Sequence, residues 1–154
     1  MITVTIVLFH TQESMLDNAL ECLLKVQEVS KIYLIDNSSM PRENILGMPI
    51  NSKELDERIS YYFANANLGY SKGHNVILDD SSKRSKYHLV MNADILFEPG
   101  TIENILNYMD SDDDVGLLMP RILNSDKSIQ HQPKLLPTPM NLFARRFLPN
   151  FISR

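Results

Sequence analysis

Four apolar runs in this 154-residue chain each end in side chains that bond to hydroxyls, amides or cations. His10-Thr11 follows the first run, Asp36-Asn37 the second, Asn65 and Asn67 the third, and Asn92-Ala93-Asp94 the fourth. Carboxylates and amides in such a set suit a polar ligand carrying a base, a ribose and a sugar. Asn92 and Asp94 add a second possibility. Magnesium or manganese needs only one or two protein carboxylates when phosphates supply the rest, so one well-placed acid, Asp94, can suffice. Asn or Asp after a strand is also a common turn former, but four such sites at corresponding positions favour a ligand site. Between the third and fourth clusters, Gly69-x-x-x-Gly73 is neither a Walker A loop nor a dinucleotide fingerprint. It reads as a tight turn followed by a closely packed helix. The acidic run Asp110 to Asp114 falls at the opposite ends of the strands and reads as a solvated connection. Of the four histidines, His10 is the best placed; His88 reads as structural, His74 as facing phosphate or solvent, and His131 has no context.

The elements that must position these groups follow from the apolar pattern. Thr3 to Phe9 and Lys31 to Asp36 are continuous β-branched and apolar runs, as in strands buried on both faces. Between them, Leu16, Ala19, Leu20, Leu23 and Leu24 mark an amphipathic helix reaching about Glu28, with Ser14 and Asp17 spaced as a capping box. Pro41 to Arg58 reads as a connection with one short helical turn. Shorter strands are expected at Tyr61 to Ala64, Tyr87 to Met91 and Val115 to Met119. Helices are expected around Val76-Ile77-Leu78 and from Thr101 through Met109. Such alternation predicts an α/β fold: an open, mostly parallel sheet with helices on both faces and a ligand crevice at the carboxyl ends of the strands.

Composition bounds the function. Lys and Arg number 15 against 19 Asp and Glu, for a net charge of -4, which argues against a nucleic-acid partner. No window approaches the roughly 18 apolar residues of a membrane span, so a cytoplasmic location is expected, at most at the inner face of the membrane. The single Cys22 rules out an internal disulfide and reads as a helix core residue.

Taken together, the first strand ending at Phe9-His10, LIDNSS (34–39), NLGYSKGHN (67–75) and LVMNADILFEPGTIENIL (89–106) resemble the inverting nucleotide-sugar glycosyltransferases of the GT-A fold. The similarity is greatest to the bacterial rhamnosyltransferase-like group that builds cell-surface polysaccharides, and it covers residues 1–125. It implies a Rossmann-like nucleotide-diphospho-sugar transferase fold, here incomplete, and a donor such as dTDP-rhamnose. Asp36 takes the place of the family's acid at the nucleobase or ribose, with Thr11 and Asn67 near the nucleotide. Asn92-Ala93-Asp94 resembles the DXD motif with its first acid replaced, which leaves Asp94 to hold a divalent cation, Mn or Mg. Gly69, Lys72, Gly73 and Asn75 match the family's loop and helix beneath the donor; His10 and Asn37 complete the expected contacts.

The resemblance also implies an acceptor, a saccharide or lipid-linked saccharide, and an acidic general base well downstream. No Asp or Glu follows Asp126, so no catalytic residue is identified and the base is expected beyond residue 154. Residues 126–154 read as a Pro-rich, apolar and basic tail leading to a missing acceptor half. Leu142, Phe143, Phe147, Leu148, Phe151 and Ile152 lie there beside Arg145, Arg146 and Arg154. The competing expectation is a non-catalytic remnant that self-associates through this tail as a homo-oligomer.

Overall fold

The structure is a computed structural model that describes residues 1–80 and 85–130. His131 and the apolar, basic tail lie outside the described residues, as does the self-association expected of that tail. The chain divides into two compact units, Met1–Ser111 and Asp112–Arg154.

The first unit is built on β1 (Ile2–Leu8), β2 (Val29–Asp36), β5 (Ile59–Phe63) and β6 (Tyr87–Met91), all parallel, in the order β5-β2-β1-β6. The apolar runs form strands because residues on both faces of β1 and β2 are covered. Val4, Ile6 and Leu8 on one face are fully buried, as is Thr5 on the other. Helix α1 (Glu13–Leu24) lays Leu16, Ala19, Leu20 and Leu23 on the first face, and α3 (Thr101–Ser111) adds Ile102 to the same core. Helix α2 (Tyr70–Leu78) covers the second face, where Ile77 meets Tyr33, Ile35 and Val7. Each fully buried Leu or Ile contributes about 1.5–3 kcal/mol relative to exposure. Helices on both faces of a parallel sheet are the architecture the pattern predicted.

Several local expectations are corrected. The capping box is absent: Gln12 is the N-cap of α1 without a side-chain bond, and Asp17 Oδ1 instead accepts the Leu46 N–H at 3.0 Å. Helix α1 ends at Leu24 rather than near Glu28, and Arg58 bonds carbonyls at and just beyond its end. Arg58 Nη2 donates to Leu24 O at 2.9 Å and Nη1 to Val26 O at 3.4 Å. The connection after β2 holds no helical turn. It forms a hairpin of β3 (Asn44–Ile45) and β4 (Met48–Pro49), whose central Leu46 and Gly47 both have positive φ, 52° and 69°. That is the twist a two-residue hairpin turn needs, and full burial of Ile45 anchors it. Val115 to Met119 is not a strand; Leu117 there is 90% exposed, and the run has no ladder partner among the described residues. The described part of the second unit holds a turn closed by an antiparallel bridge between Leu123 and Ile129.

The second face of the sheet carries a polar cluster. His88 bonds Thr3 Oγ1 and Thr5 Oγ1, each at 2.8 Å, one through each ring nitrogen. His74 projects from α2 toward the sheet, 3% exposed, with no hydrogen-bond partner for either nitrogen. Burial, reinforced by His88, pushes its pKa down to about 4. His88 is structural, as expected. His74 faces the core rather than phosphate or solvent.

Two measurements check this packing. A Cβ at Gly73 would lie 2.7 Å from Val7 Cγ2 on β1. Gly73→Ala is therefore expected to cost about 1–3 kcal/mol in urea unfolding, with most of that cost relieved in a Val7→Ala background. His74 takes up protons more readily unfolded, near pH 6.5, than folded, near 4. Its contribution to stability is whole above pH 6.5 and lost as pH falls toward 4, and His74→Leu should flatten that part of the stability profile.

Candidate functional site

The strand order places a topological switch at the carboxyl ends of the sheet. β1, β2 and β5 succeed one another in one direction, and β6 then returns to the other side of β1. Ligands bind in the crevice beside such a point.

At that edge the ladder continues past the strands: Asn37 N–H donates to Leu8 O and Ala64 N–H to Asp36 O, each at 2.9 Å. Asp36, the last residue of β2, is fully buried. Its Oδ1 accepts the Ser38 N–H at 2.9 Å and its Oδ2 the Tyr61 hydroxyl at 2.8 Å. The Tyr61 oxygen accepts the Arg42 N–H at 2.8 Å. Arg42 in turn donates from Nη2 to Thr11 O, and its Nε lies 3.9 Å from Asp36 Oδ2.

Above this network lies a cavity of about 240 Å³. Its walls are Phe9 and His10 from the end of β1, Asn37, Ser38 and Ser39 from the end of β2, and Asn65, Ala66 and Asn67 after β5. His10 and Asn65 face it with left-handed backbones, φ 49° and 52°, which non-glycine residues adopt only where surrounding contacts hold them. His10 N–H donates to Ser38 Oγ at 2.8 Å, and the Phe9 and His10 rings meet edge to face at 4.5 Å. Asn37 spends its amide N–H on Gly69 O at 3.1 Å, while its buried Oδ1 has no partner. Asn67 Oδ1 accepts the Gly69 N–H at 2.9 Å, and Gly69, with φ 76°, turns the chain into α2.

Of the residues expected from sequence, His10, Asn37 and Asn67 share this cavity, with Thr11 tied to its floor through Arg42. Asp36 sits beneath the walls rather than on them. Gly69 and Gly73 shape the approach of α2. Lys72 and Asn75 are exposed on α2 and do not line the cavity. Asn92 and Asp94 are exposed just after β6, also apart from it. The Tyr70 hydroxyl is held above its ordinary pKa by burial and by the charge of Asp94, which puts Tyr70 in the field of that carboxylate. Among the described residues no group of three or more His, Cys, Asp or Glu could hold a metal ion. The oxygen donors of Asn92 and Asp94 nevertheless fit magnesium or manganese completed by phosphate oxygens. Asn65, expected at the end of the third strand, also lines the cavity, whereas sequence reasoning left Phe9, Ser38, Ser39, Arg42, Tyr61 and Tyr70 unassigned. Ser38 and Ser39 stand in the quoted LIDNSS run, whereas Arg42 and Tyr61 carry no local signal.

The family model for glycosyl transferase family 2 matches residues 4–152. No curated protein and no solved structure matches the chain. No helix among the described residues is long and apolar enough to cross a membrane.

Tyr61 offers a measurable signature of the network. Burial, followed by the bond to Asp36, pushes its pKa up to about 12. The folded chain then keeps a proton that the unfolded chain loses near 10, so this contribution to stability is whole below pH 10 and lost as pH rises through about 12. Alkaline absorbance titration is expected to show a late tyrosine step that disappears in Tyr61→Phe.

Proposed function

Since the chain belongs to glycosyl transferase family 2, we propose that its parallel α/β domain binds a nucleotide-diphosphate sugar at the carboxyl ends of β1, β2 and β5 and donates the sugar with inversion. The observation that carries this reading is the convergence of His10, Asn37, Ser38, Asn65 and Asn67 on one cavity beside the switch point. Amide and hydroxyl groups there match the edges of a base and a ribose. The diphosphate would then extend toward the turn after β6, where Asn92 and Asp94 would hold a divalent cation through their oxygens. That cation, when bound, offsets the charge growing on the departing nucleoside diphosphate.

In the reaction, an acceptor hydroxyl attacks the anomeric carbon in line as the bond from that carbon to the diphosphate oxygen breaks. The bond's electron pair leaves with the nucleoside diphosphate, and the hydroxyl proton passes to a base on the acceptor side. The residues of this chain bind and orient the donor, holding the anomeric carbon open to attack from one face. The proposed donor is dTDP-rhamnose and the acceptor a saccharide or lipid-linked saccharide of a cell-surface polysaccharide, on the motif resemblance at residues 67–75 and 89–106.

Calorimetric titration with dTDP-rhamnose, UDP-glucose, UDP-galactose and UDP-N-acetylglucosamine, each with manganese or EDTA, tests the reading. Selective binding that needs manganese is expected, and Asp94→Ala should weaken it by about tenfold or more. Equal affinity in EDTA, or in Asp94→Ala, would remove the cation and Asp94 from the site.

A further inference from the structure

A carboxylate at the end of β2 would be the natural partner for a bound nucleotide, yet Asp36 has no exposed surface and both of its oxygens are already engaged. We propose that Asp36, Tyr61 and Arg42 are positioning residues of the donor cavity, and that the Asp36 carboxylate holds the cavity walls in place without touching the donor. This inference rests on the donor-binding reading given above.

Two routes run from the carboxylate to the end of β1. Through Oδ1 it fixes the Ser38 N–H, and Ser38 Oγ fixes the His10 N–H at 2.8 Å. Through Oδ2 it fixes the Tyr61 hydroxyl, which holds the Arg42 N–H, and Arg42 reaches across to Thr11 O. His10 and Thr11 are thus tied to β2 and β5 from two sides. Such doubling is what a left-handed His10 requires, because a strained backbone persists only where its surroundings over-determine it.

Arg42 is bound into the same unit by charge. Its side chain is 15% exposed against 0% for Asp36, and its buried Nε has no hydrogen-bond partner. Removing any one of the three groups leaves a buried partner unmet, so they act together. On the first face of the same strands the core is built of apolar contacts. At the carboxyl edge these give way to polar links among residues that fix the cavity wall.

The test uses the full chain with Tyr61→Phe, Arg42→Gln, Asp36→Asn and the Tyr61→Phe/Arg42→Gln double variant. Donor affinity is measured by calorimetry well below the melting temperature of every variant, and amide hydrogen exchange is followed at His10 and Ser38. Each single change is expected to weaken donor binding by about tenfold, and the double variant to bind no worse than the weaker single, as coupled groups do. Exchange at His10 and Ser38 should rise in Tyr61→Phe with no donor present, while the central residues of β1 and β2 stay protected. Loss of binding in Asp36→Asn with parental binding in the other two would overturn the proposal in favour of direct contact. Unchanged exchange at His10 and Ser38 would overturn it as well, as would a lowered melting temperature with parental affinity throughout. If Asp36→Asn does not fold, the two remaining single variants decide. If the parent chain binds none of the donors, the donor-binding reading fails, and the exchange measurement alone decides whether the three residues hold the cavity wall.

Discussion

A carboxylate withdrawn from water must have its lone pairs met by protein donors, or its burial costs several kcal/mol. At Asp36 that requirement organises the carboxyl end of the sheet. One oxygen draws the chain back so that Ser38 lies over the end of β2, and the other draws in Tyr61 from β5 and, through it, Arg42 from the loop before the hairpin. Residues distant in sequence are held within one layer of hydrogen bonds because one buried charge needs all of them. Without that layer, the ends of β1, β2 and β5 would be three loops with no common reference.

The apolar part of the structure makes such an arrangement possible. Burial on both faces of β1 and β2 fixes their register, and the register sets which residues emerge together at the edge. Gly73 lets α2 lie close against Val7, and the carbonyl of Gly69 at the head of that helix takes the Asn37 amide. The helix therefore does more than cover the second face. It sets the orientation of a cavity residue, so tight packing and cavity geometry both follow from the seat of α2.

The region around β6 follows different rules. Asn92 and Asp94 are exposed just after β6, which leaves them accessible to the cation and phosphate oxygens proposed for them. The cavity at β1, β2 and β5 is built from fixed groups, whereas the turn after β6 presents free ones. In the proposed reading, a donor spanning the two would meet fixed groups at its base and exposed ones at its diphosphate.

The sequence alone determined the parts of this protein that depend on local pattern. Continuous apolar runs marked the four parallel strands, with β6 matching Tyr87 to Met91 to the residue, and the alternation with helices fixed the class of fold. The switch from apolar to polar residues located the edge where the cavity lies, and LIDNSS, NLGYSKGHN and the segment around Asn92 and Asp94 pointed to the family. Tertiary structure decided what no local pattern encodes. A strand needs a partner, so Val115 to Met119, strand-like in composition, stands exposed without one among the described residues. A hairpin with Leu46 at positive φ contradicts the preference of leucine and is accepted because Ile45 reaches the core and Asp17 holds the turn. Whether Asp36 faces a ligand or the interior depended on Tyr61 and Arg42, which bear no mark in sequence of where they will meet. Local pattern reports what a residue prefers; the folded chain decides which groups it must satisfy.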